Sequence, residues 1–337
     1  MRIRQVVSAA ALSVLLLLVI LLVPTPYTIW SPGDTYNYLG EIDGKPVIEI
    51  EDEPVDKPTG QLLLATVGTT GDRNSNLLSV ALSQLSQAQE VLPADSVVNG
   101  DNPRLVNEPE PEKLVIREDN AVVAALRQAD RQIIEHPQIT VVAPSGPANN
   151  ILQVGDLVTQ INQDAVSTQA QAEAAIADLK VGDTVRVKFI RDKEDMDAIM
   201  IVQATSRDSK IPTLGLQFTT SYSHDEIVNI NKASNPEGLM LSLAIYDMLT
   251  EGELTGGQIV AGAGRMSVSG EVGSVDGIRQ RIAAAKRDGA RYFIIPSGNC
   301  SQVASDEGLT LVRASTLADS IENLQAALSG KVVKGCE

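Results

Sequence analysis

The chain has few of the residues on which most catalytic and metal sites depend. It has 337 residues but only two histidines, and its two cysteines do not form a Cys-x-x-Cys pair. A zinc site or a His-based catalytic triad therefore has almost no ligands or bases to draw on, and we expect no metal and no cofactor. The sequence also lacks a G-x-x-x-x-G-K-[ST] motif, so we expect no ATP binding by a P-loop within the chain.

Charge and aromatic content argue against a nucleic-acid partner. The formal net charge at pH 7 is −16, and aromatic residues make up only 3% of the chain, with a single Trp. An acidic surface repels a phosphate backbone, and so few aromatic rings offer no platform on which bases could stack. We therefore expect no nucleic-acid binding, and we interpret the acidity as a well-solvated exterior.

One long apolar run stands near the N-terminus. The stretch from Val6 to Val23 contains no charged residue and is rich in Leu and Val. As a helix it spans roughly 27 Å, close to the thickness of a hydrocarbon core. Arg2 and Arg4 precede the run and Asp34 and Glu41 follow it, which predicts a cytoplasmic N-terminus and folded domains on the other side of the membrane.

The predicted role of this run is a single-pass anchor in the lipid of the cell membrane. The competing interpretation is a cleaved signal peptide. The run is longer than the usual apolar region of such a peptide, and the residues at its end, Leu22-Val23-Pro24-Thr25-Pro26, lack the small-x-small cleavage pattern. Under either interpretation, most of the chain is exported.

The two cysteines suit an exported protein. The chain has an even number of cysteines, Cys300 and Cys336, and is expected to face an oxidising compartment. Together these features predict a disulfide between the two residues. Closing a loop of this length contributes roughly 3–4 kcal/mol in the chain-entropy model. The alternative is a pair of free, buried thiols.

Changes in pattern divide the chain into four parts and predict an α+β fold. Residues 1–26 are the tail and transmembrane anchor, and residues 27–112 form a membrane-proximal region with strand patterns, ending in an acidic, proline-containing linker. Residues 113–207 are predicted to form a small β domain. In residues 208–337 strands alternate with helices, as in an α/β domain. Gly238 to Leu249 is apolar nearly all round, which predicts a buried helix.

Residues 113–207 carry the motifs of a peptide-binding module. Ser145-Gly146-Pro147-Ala148 is followed by Leu152, by Gly155-Asp156-Leu157-Val158 and by Ile161-Asn162. The Gly-Asp pair is typical of a tight turn into a strand whose alternate residues are buried. This series resembles a PDZ domain, in the circularly shifted form found in bacterial envelope proteases.

The resemblance implies binding of an extended polypeptide as an added strand. The expected binding strand comprises Gln138, Ile139, Thr140 and Val141. PDZ domains hold a C-terminal carboxylate with backbone N–H groups of a Gly-rich loop before this strand. The matching segment here, Glu135-His136-Pro137-Gln138-Ile139, has no glycine, and its proline has no N–H. Binding of an internal segment, or packing between domains, is therefore favoured over carboxylate capture.

The C-terminal domain carries a second set of motifs: Gly238-Leu239-Met240, Leu254-Thr255-Gly256-Gly257, Gly264, Gly270-Glu271-Val272-Gly273, Asp276-Gly277-Ile278-Arg279-Gln280 and Ile294-Ile295-Pro296. They resemble the proteolytic domain of Lon-type serine peptidases. The order of anchor, PDZ-like domain and Lon-type domain is similar to the YlbL-like group of membrane-bound PDZ peptidases.

Lon-type peptidases work by a Ser–Lys dyad, and the matching positions here hold neither residue. The nucleophile lies in a G-P-S-A-G turn, where alignment on Gly238-Leu239 places Pro236. Alignment on the motif that ends at Gln280 places Arg281 at the Lys, and the Thr that supports this Lys is replaced by Ala263. Pro has no hydroxyl, a guanidinium keeps its proton, and an Ala side chain makes no hydrogen bond.

The resemblance therefore predicts a degenerate peptidase that binds a polypeptide ligand without cleaving it. The first alternative is an active serine endopeptidase with a relocated nucleophile, Ser234, which lies near Lys232. The second alternative is a purely structural envelope protein. Because Lon-type domains often form rings, the resemblance also allows a homo-oligomer.

Overall fold

The structure is a computed structural model with two compact units. It describes residues 2–51, 59–70, 75–86, 88–94, 111–192, 194–206, 209–231, 238–303, 308–331, 333 and 335–336. Unit 1 is formed by Met1–Asp130 and Glu226–Glu337, and unit 2 by Arg131–Asp225. Unit 2 is thus inserted, along the chain, between the two segments of unit 1.

Unit 1 contains helices and mostly short strands. The helices are α1 (Arg2–Leu22), α2 (Leu77–Ser83), α3 (Pro111–Gln128), α5 (Gly238–Leu249), α6 (Ile278–Arg287) and α7 (Leu317–Leu328), with a 3₁₀ helix at Ser297–Gln302. The strands are β1 (Tyr27–Asn37), β2 (Glu41–Ile42), β3 (Lys45–Pro46), β4 (Ile48–Ile50), β5 (Gln61–Thr69), β6 (Glu90–Pro93), β15 (Val228–Ile230), β16 (Ile259–Gly262), β17 (Arg265–Met266), β18 (Val272–Gly273), β19 (Tyr292–Pro296) and β20 (Thr310–Ala314).

The main sheet of unit 1 has six strands in the order β20-β19-β16-β5-β1-β6. The strands from β20 to β5 run parallel, whereas β1 is antiparallel to both β5 and β6. Strand β5 is apolar from Leu62 to Val67, apart from Thr66, and is buried throughout that stretch. A long run of buried residues is what a strand covered on both faces requires.

Helix α5 forms the centre of the second layer. Its residues from Gly238 to Ile245 are all buried, and Leu249 is buried at its end. The burial predicted from its all-round apolar pattern is confirmed. Along one side it packs against α3, whose residues from Ala121 to Leu126 are buried in turn.

The N-terminal helix α1 exposes most of its apolar side chains, including Leu12, Leu15, Leu18 and Leu22. Among the residues that the structure describes, no helix meets the combined criteria of length and apolar content for crossing a membrane.

Unit 2 is a small antiparallel domain. Its strands are β7 (Ile134–Val142), β8 (Leu157–Ile161), β9 (Asp164–Ala165), β10 (Thr184–Arg191), β11 (Glu194–Ile201), β12 (Gln203–Ala204), β13 (Pro212–Thr213) and β14 (Leu216–Ser223), and its helix is α4 (Gln169–Ala177). The sheet order is β11-β10-β8-β7-β14, and β9 pairs with β8. Buried residues such as Ile139, Val158, Val187 and Phe189 form its core.

The structure draws the domain boundaries differently from the sequence. Strands β1, β5 and β6, predicted to belong to a separate region of residues 27–112, lie in the same sheet as β16, β19 and β20. Helix α3, predicted at the start of the PDZ-like domain, belongs to unit 1. Unit 2 extends beyond residue 207 because β14 pairs along the whole of β7.

Candidate peptidase cleft and peptide-binding groove

Helix α5 begins in close contact with the loop after β16. In the predicted alignment, the first turn of this helix follows the family's nucleophile. The Leu239 N–H donates to the Gly264 carbonyl at 2.9 Å. Gly238 has a φ of +52°, and a Cβ at this position would lie 2.0 Å from the Gly264 oxygen. Because only glycine combines this φ with this approach, the start of α5 is fixed against Gly264.

The predicted nucleophile positions lie just before this contact. Pro236, the alternative nucleophile Ser234 and its neighbour Lys232 are outside the described residues, which resume at Gly238. Ser242, one turn into α5, is fully buried and donates to the Ala121 carbonyl at 2.9 Å. Its hydroxyl therefore serves the packing of α5 on α3.

Arg281, which is predicted to match the family's Lys, donates to two backbone carbonyl groups. Its Nη1 lies 2.7 Å from the Ala65 oxygen in β5, and its Nε lies 3.0 Å from the Asp276 oxygen. Ala65 pairs with Thr35 where the register between β1 and β5 shifts. The guanidinium thus joins α6 to an irregular point of the sheet, which is a structural role.

The other end of α6 is attached to the same irregular segment of β1. Arg287 Nη2 donates to the Gly33 carbonyl at 2.9 Å, and the Thr35 hydroxyl donates to Asp288 Oδ2 at 2.9 Å. The hydrogen bond between Arg287 and Asp288 raises the pKa of Arg287 and lowers the pKa of Asp288. Helix α6 is therefore attached at both ends to β1 and β5.

Ala263, which is predicted to match the supporting Thr, follows β16 and is fully buried in an apolar cluster with Ile278 and Ile295. Its backbone N–H donates to the Ile294 carbonyl at 3.3 Å. The methyl side chain gives this cluster no polar group. The two predicted family positions that the structure describes therefore hold a buried methyl group and a guanidinium bonded to two backbone carbonyl groups.

The loop before α6 is held by the segment that carries the disulfide. Asn299 is fully buried, and its amide accepts from the Val275 N–H at 2.9 Å and donates to the Val275 carbonyl at 2.8 Å. The predicted disulfide between Cys300 and Cys336 is confirmed, with Cα atoms 4.9 Å apart. An Asn amide used in this way is not available for glycosylation at the Asn299-Cys300-Ser301 sequence.

Unit 2 contains a groove at one edge of its sheet. It lies between α4 and the edge strand β14 and has a volume of about 470 Å³, within the range of ligand-binding clefts. The residues that line it are Glu173, Ile176, Ala177, Lys210, Ile211, Pro212, Leu216 and Phe218. The lining is mainly apolar and includes one charged residue of each sign, Glu173 and Lys210.

The predicted binding strand does not form this edge. Gln138, Ile139, Thr140 and Val141 lie in β7, which stands between β8 and β14 in the sheet. Ile139 is fully buried in the core of unit 2. Because β14 pairs with β7 from Ile134 to Val142, the edge open to an added strand is that of β14.

The loop that precedes β14 contains the glycine that was absent before β7. Gly215 has a φ of +73°, and its N–H donates to the Thr213 hydroxyl at 2.9 Å. A Cβ on Gly215 would lie 2.8 Å from the Cα of Gly146, so the loop is packed closely on its neighbour. The signal in the sequence was Leu214-Gly215-Leu216 immediately before a strand pattern, beyond the boundary predicted at residue 207.

The far end of the β7–β14 pair carries one titratable contact. His136 Nε2 lies 3.1 Å from the Ser223 hydroxyl oxygen. Burial lowers the pKa of His136. The contact between the ring and the Ser223 hydroxyl links the ends of the two strands.

Comparison with known families agrees with both domains. The model of the PDZ domain matches residues 114–202, and the model of the Lon protease (S16) C-terminal proteolytic domain matches residues 198–327. The chain therefore contains a region that matches the PDZ domain, followed by a region that matches the Lon-type proteolytic domain.

Two curated relatives are Lon proteases. The chain is 26% identical over 215 residues to the "Archaeal Lon protease" of Methanothermobacter thermautotrophicus, a match that covers 60% of this chain and 31% of that protein. It is 28% identical over 103 residues to "Lon protease homolog 2, peroxisomal" of Caenorhabditis elegans, covering 30% and 13% of the two chains. The chain thus spans less than a third of the length of either relative.

Some solved structures are also similar to part of the chain. The PDZ domain of an SdrC-like protein from Listeria monocytogenes is 25% identical, covering 25% of this chain and 87% of that one, with a TM-score of 0.23. A protein from Geobacillus thermodenitrificans is 27% identical, covering 24% and 94%, with a TM-score of 0.22.

Proposed function

We propose that the chain is a membrane-anchored, extracytoplasmic protein that binds extended polypeptides and does not cleave them. The observation that carries the proposal is the position of Arg281, whose guanidinium is bonded to the carbonyl groups of Ala65 and Asp276. The group that would have to act as the base of the dyad is a cation that holds two backbone segments together.

The absence of cleavage follows from the chemistry of acyl transfer. A Ser–Lys dyad requires a hydroxyl that attacks the carbonyl carbon and a neutral amine that accepts the hydroxyl proton. Position 236 is a proline, which has no hydroxyl, and position 281 is an arginine, which keeps its proton in proteins. The positions that match the family's dyad therefore provide neither a nucleophilic hydroxyl nor a neutral amine.

Binding would occur by addition of a strand to β14. One side of β14 pairs with β7, and its other side faces the groove beside α4. A peptide backbone placed there would hydrogen-bond to β14, and alternate side chains would enter the groove between Ile176 and Leu216. The match to the PDZ family supports this mode of binding.

The groove can be tested with a matched pair of variants. Ile211 lines the groove and Ile199 lies on β11, at the opposite edge of the same sheet, and both side chains are exposed. We expect Ile211→Glu to weaken binding of extended apolar peptides about tenfold, equal to about 1.4 kcal/mol, while Ile199→Glu leaves it unchanged. The measurement is fluorescence anisotropy with peptides selected by phage display. Equal affinities of the two variants would contradict the proposed groove, and selection of no peptide would favour a structural envelope protein.

The lack of a nucleophile can be tested by covalent labelling of the full-length chain. We expect no reaction with a fluorophosphonate probe. Labelling that disappears in Ser234→Ala would establish the rival function, a serine endopeptidase with a relocated nucleophile. The double change Pro236→Ser with Arg281→Lys asks whether the fold keeps the geometry of the family, since peptidase activity would then be gained.

The membrane anchor is the third part of the proposal. It rests on the uncharged run that follows Arg4 and on the exposure of the leucines along α1. A disulfide suits the oxidising side of the membrane. We expect the full-length chain to stay with membranes in alkaline carbonate, and release into the supernatant would contradict the anchor.

A further inference from the structure

Helix α2 exposes its leucines and buries one of its two serines, Ser83, which is the reverse of a helix on a soluble surface. Leu77, Leu78 and Leu82 are exposed, and Leu85, just beyond the helix, is 83% exposed. Ser83 is only 2% exposed. We call these four leucines the leucine patch. A contiguous exposed apolar surface of this kind marks an interaction site.

The sequence around the patch is free of charge. No Asp, Glu, Lys or Arg occurs from Ser75 to Gln89, although the chain as a whole has a net charge of −16. Burying a charged group in an apolar medium is costly, so a surface without charges can approach hydrocarbon at a lower cost than a charged one. The absence of charged residues and the exposure of the leucines therefore both favour lipid as the partner.

The patch is attached directly to the end of α1. The Asn76 side chain donates to the Leu21 carbonyl at 2.9 Å, and Pro24 forms an isolated bridge with Asn76. The Thr25 N–H donates to the Ser75 carbonyl at 2.8 Å, and the hydroxyl groups of Thr25 and Ser75 lie 2.8 Å apart. Helix α2 thus begins at the point where α1 ends.

From these observations we infer that the leucine patch lies in the lipid interface, beside the point where α1 leaves the membrane. The inference rests on the proposed anchor. If α1 occupies the hydrocarbon core up to Leu22, hydrogen bonds to Leu21 hold Asn76 at the lipid boundary, and α2 starts there. An amphipathic helix lying in this region buries its apolar face at the boundary between headgroups and acyl chains.

Tyr27 supports this placement. It begins β1, is exposed, and its carbonyl accepts a hydrogen bond from the Ser75 hydroxyl. Tyrosine is enriched at membrane–water interfaces because its ring is apolar and its hydroxyl is polar. The anchor and the leucine patch together would fix the orientation of unit 1 on the membrane, which a single helix with a flexible exit would not do.

The test compares two leucine-sized side chains of nearly equal exposure in the same unit. Leu82 is 55% exposed and Ile227 is 52% exposed. The full-length chain is placed in phosphatidylcholine–phosphatidylglycerol nanodiscs at one chain per disc, and hydroxyl-radical labelling is read by mass spectrometry. We expect several-fold lower labelling at Leu82 and Leu85 than at Ile227. Equal labelling would overturn the inference, and a second copy of the chain cannot cause protection at this loading.

A second measurement uses tryptophan as a reporter of depth. Leu82→Trp and Ile227→Trp each add one indole to the single Trp of the chain. In vesicles that contain brominated lipid, we expect the added emission to be strongly quenched in Leu82→Trp and unquenched in Ile227→Trp. Equal quenching would overturn the inference. Carbonate extraction tests the anchor separately. If the chain stays in the membrane while Leu82 remains labelled, the lipid placement of the leucine patch is contradicted and the anchor is not.

Discussion

The Glu253 carboxylate is the acceptor that holds the turn before β5. It accepts from the Thr59 N–H at 2.9 Å, from the Gly60 N–H at 2.7 Å and from the hydroxyl groups of Thr59 and Thr255. The hydrogen bond from the Thr59 hydroxyl is the main reason why the pKa of Glu253 is lowered from its ordinary 4.5. An acid with a lowered pKa stabilises the fold above its unfolded pKa, and this stability is lost as the pH falls through the folded pKa.

We therefore expect Glu253→Gln to lower the free energy of unfolding at pH 7. The loss is about 1 kcal/mol, because exposure to solvent limits what these bonds contribute. The difference from wild type should vanish as the pH falls through the lowered pKa of Glu253 and its carboxylate becomes protonated. Urea unfolding at several pH values measures it, with the exposed Glu251→Gln as control. A difference that persists at low pH would show that the charge is not the cause.

We expect two ion pairs of unit 2 to contribute very different amounts to the free energy of unfolding. Asp156 of the Gly-Asp motif is almost fully buried, and its carboxylate accepts from Arg191 Nε at 2.7 Å and Nη2 at 2.6 Å. The Arg186–Asp197 pair is 3.2 Å long and half-exposed. We expect Asp156→Ala to cost about 3 kcal/mol, since Arg191 loses its partner, whereas Asp197→Ala costs less than about 1 kcal/mol.

Hydrogen exchange of the β8 amides in the full chain measures this pair of variants. Faster exchange in Asp156→Ala than in Asp197→Ala is the expected result. Equal rates would mean that Asp156 contributes to the turn of the Gly-Asp motif but that its ion pair with Arg191 adds no stability.

At the scale of elements, α6 is the helix whose arginines bond to the backbone of neighbouring strands. Arg281 and Arg287 reach carbonyl groups of β5 and β1, so the helix holds the irregular part of the sheet in place. We expect Arg281→Met to cost about 1–3 kcal/mol, because the carbonyl group of Ala65, a fully buried residue, loses a charged donor. Arg279→Met, on the exposed side of α6, should cost less than about 0.5 kcal/mol. Urea unfolding compares the two, and equal costs would contradict a structural role of Arg281.

The elements of this fold differ in how far the sequence alone could predict them. The buried helix α5 follows from its all-round apolar pattern, and the turn at Gly155-Asp156 follows from its motif. The pairing of β5 with β16 does not follow, because it joins Gln61 to Ile259 and local periodicity contains no information on partners so distant. The peptide-binding strand is predicted in β7 from the resemblance to PDZ domains, whereas the structure has β14 outside β7, beyond the domain boundary predicted at residue 207.

At the scale of the whole molecule, the disulfide joins the C-terminal tail to the segment that supports the loop before α6. The bond closes a loop with a sequence separation of 36 residues. In the chain-entropy model such a loop contributes about 3–4 kcal/mol. We expect the double change Cys300→Ser with Cys336→Ser to lower the thermal midpoint by several degrees and to abolish its dependence on reductant. An unchanged midpoint would mean that the tail adds no stability.

The candidate sites show the same limit of sequence reasoning. The residues Arg281 and Ala263 were identified from motif spacing, but the carbonyl partners of Arg281 depend on the register between β1 and β5. The cysteine pair was predictable because only one pairing exists. The leucine patch was not predicted, since a short run of Leu and Ser is typical of an ordinary surface helix until burial shows which side faces solvent.

The most direct test is to incubate an unfolded polypeptide with the membrane-held chain and to measure the mass of the recovered polypeptide and the fraction that is bound. The account predicts that the polypeptide is recovered at full mass, that a fraction of it is bound, and that this fraction is lost in Ile211→Glu and kept in Ile199→Glu. Cleavage products that form with the wild-type chain and disappear in Ser234→Ala would contradict it.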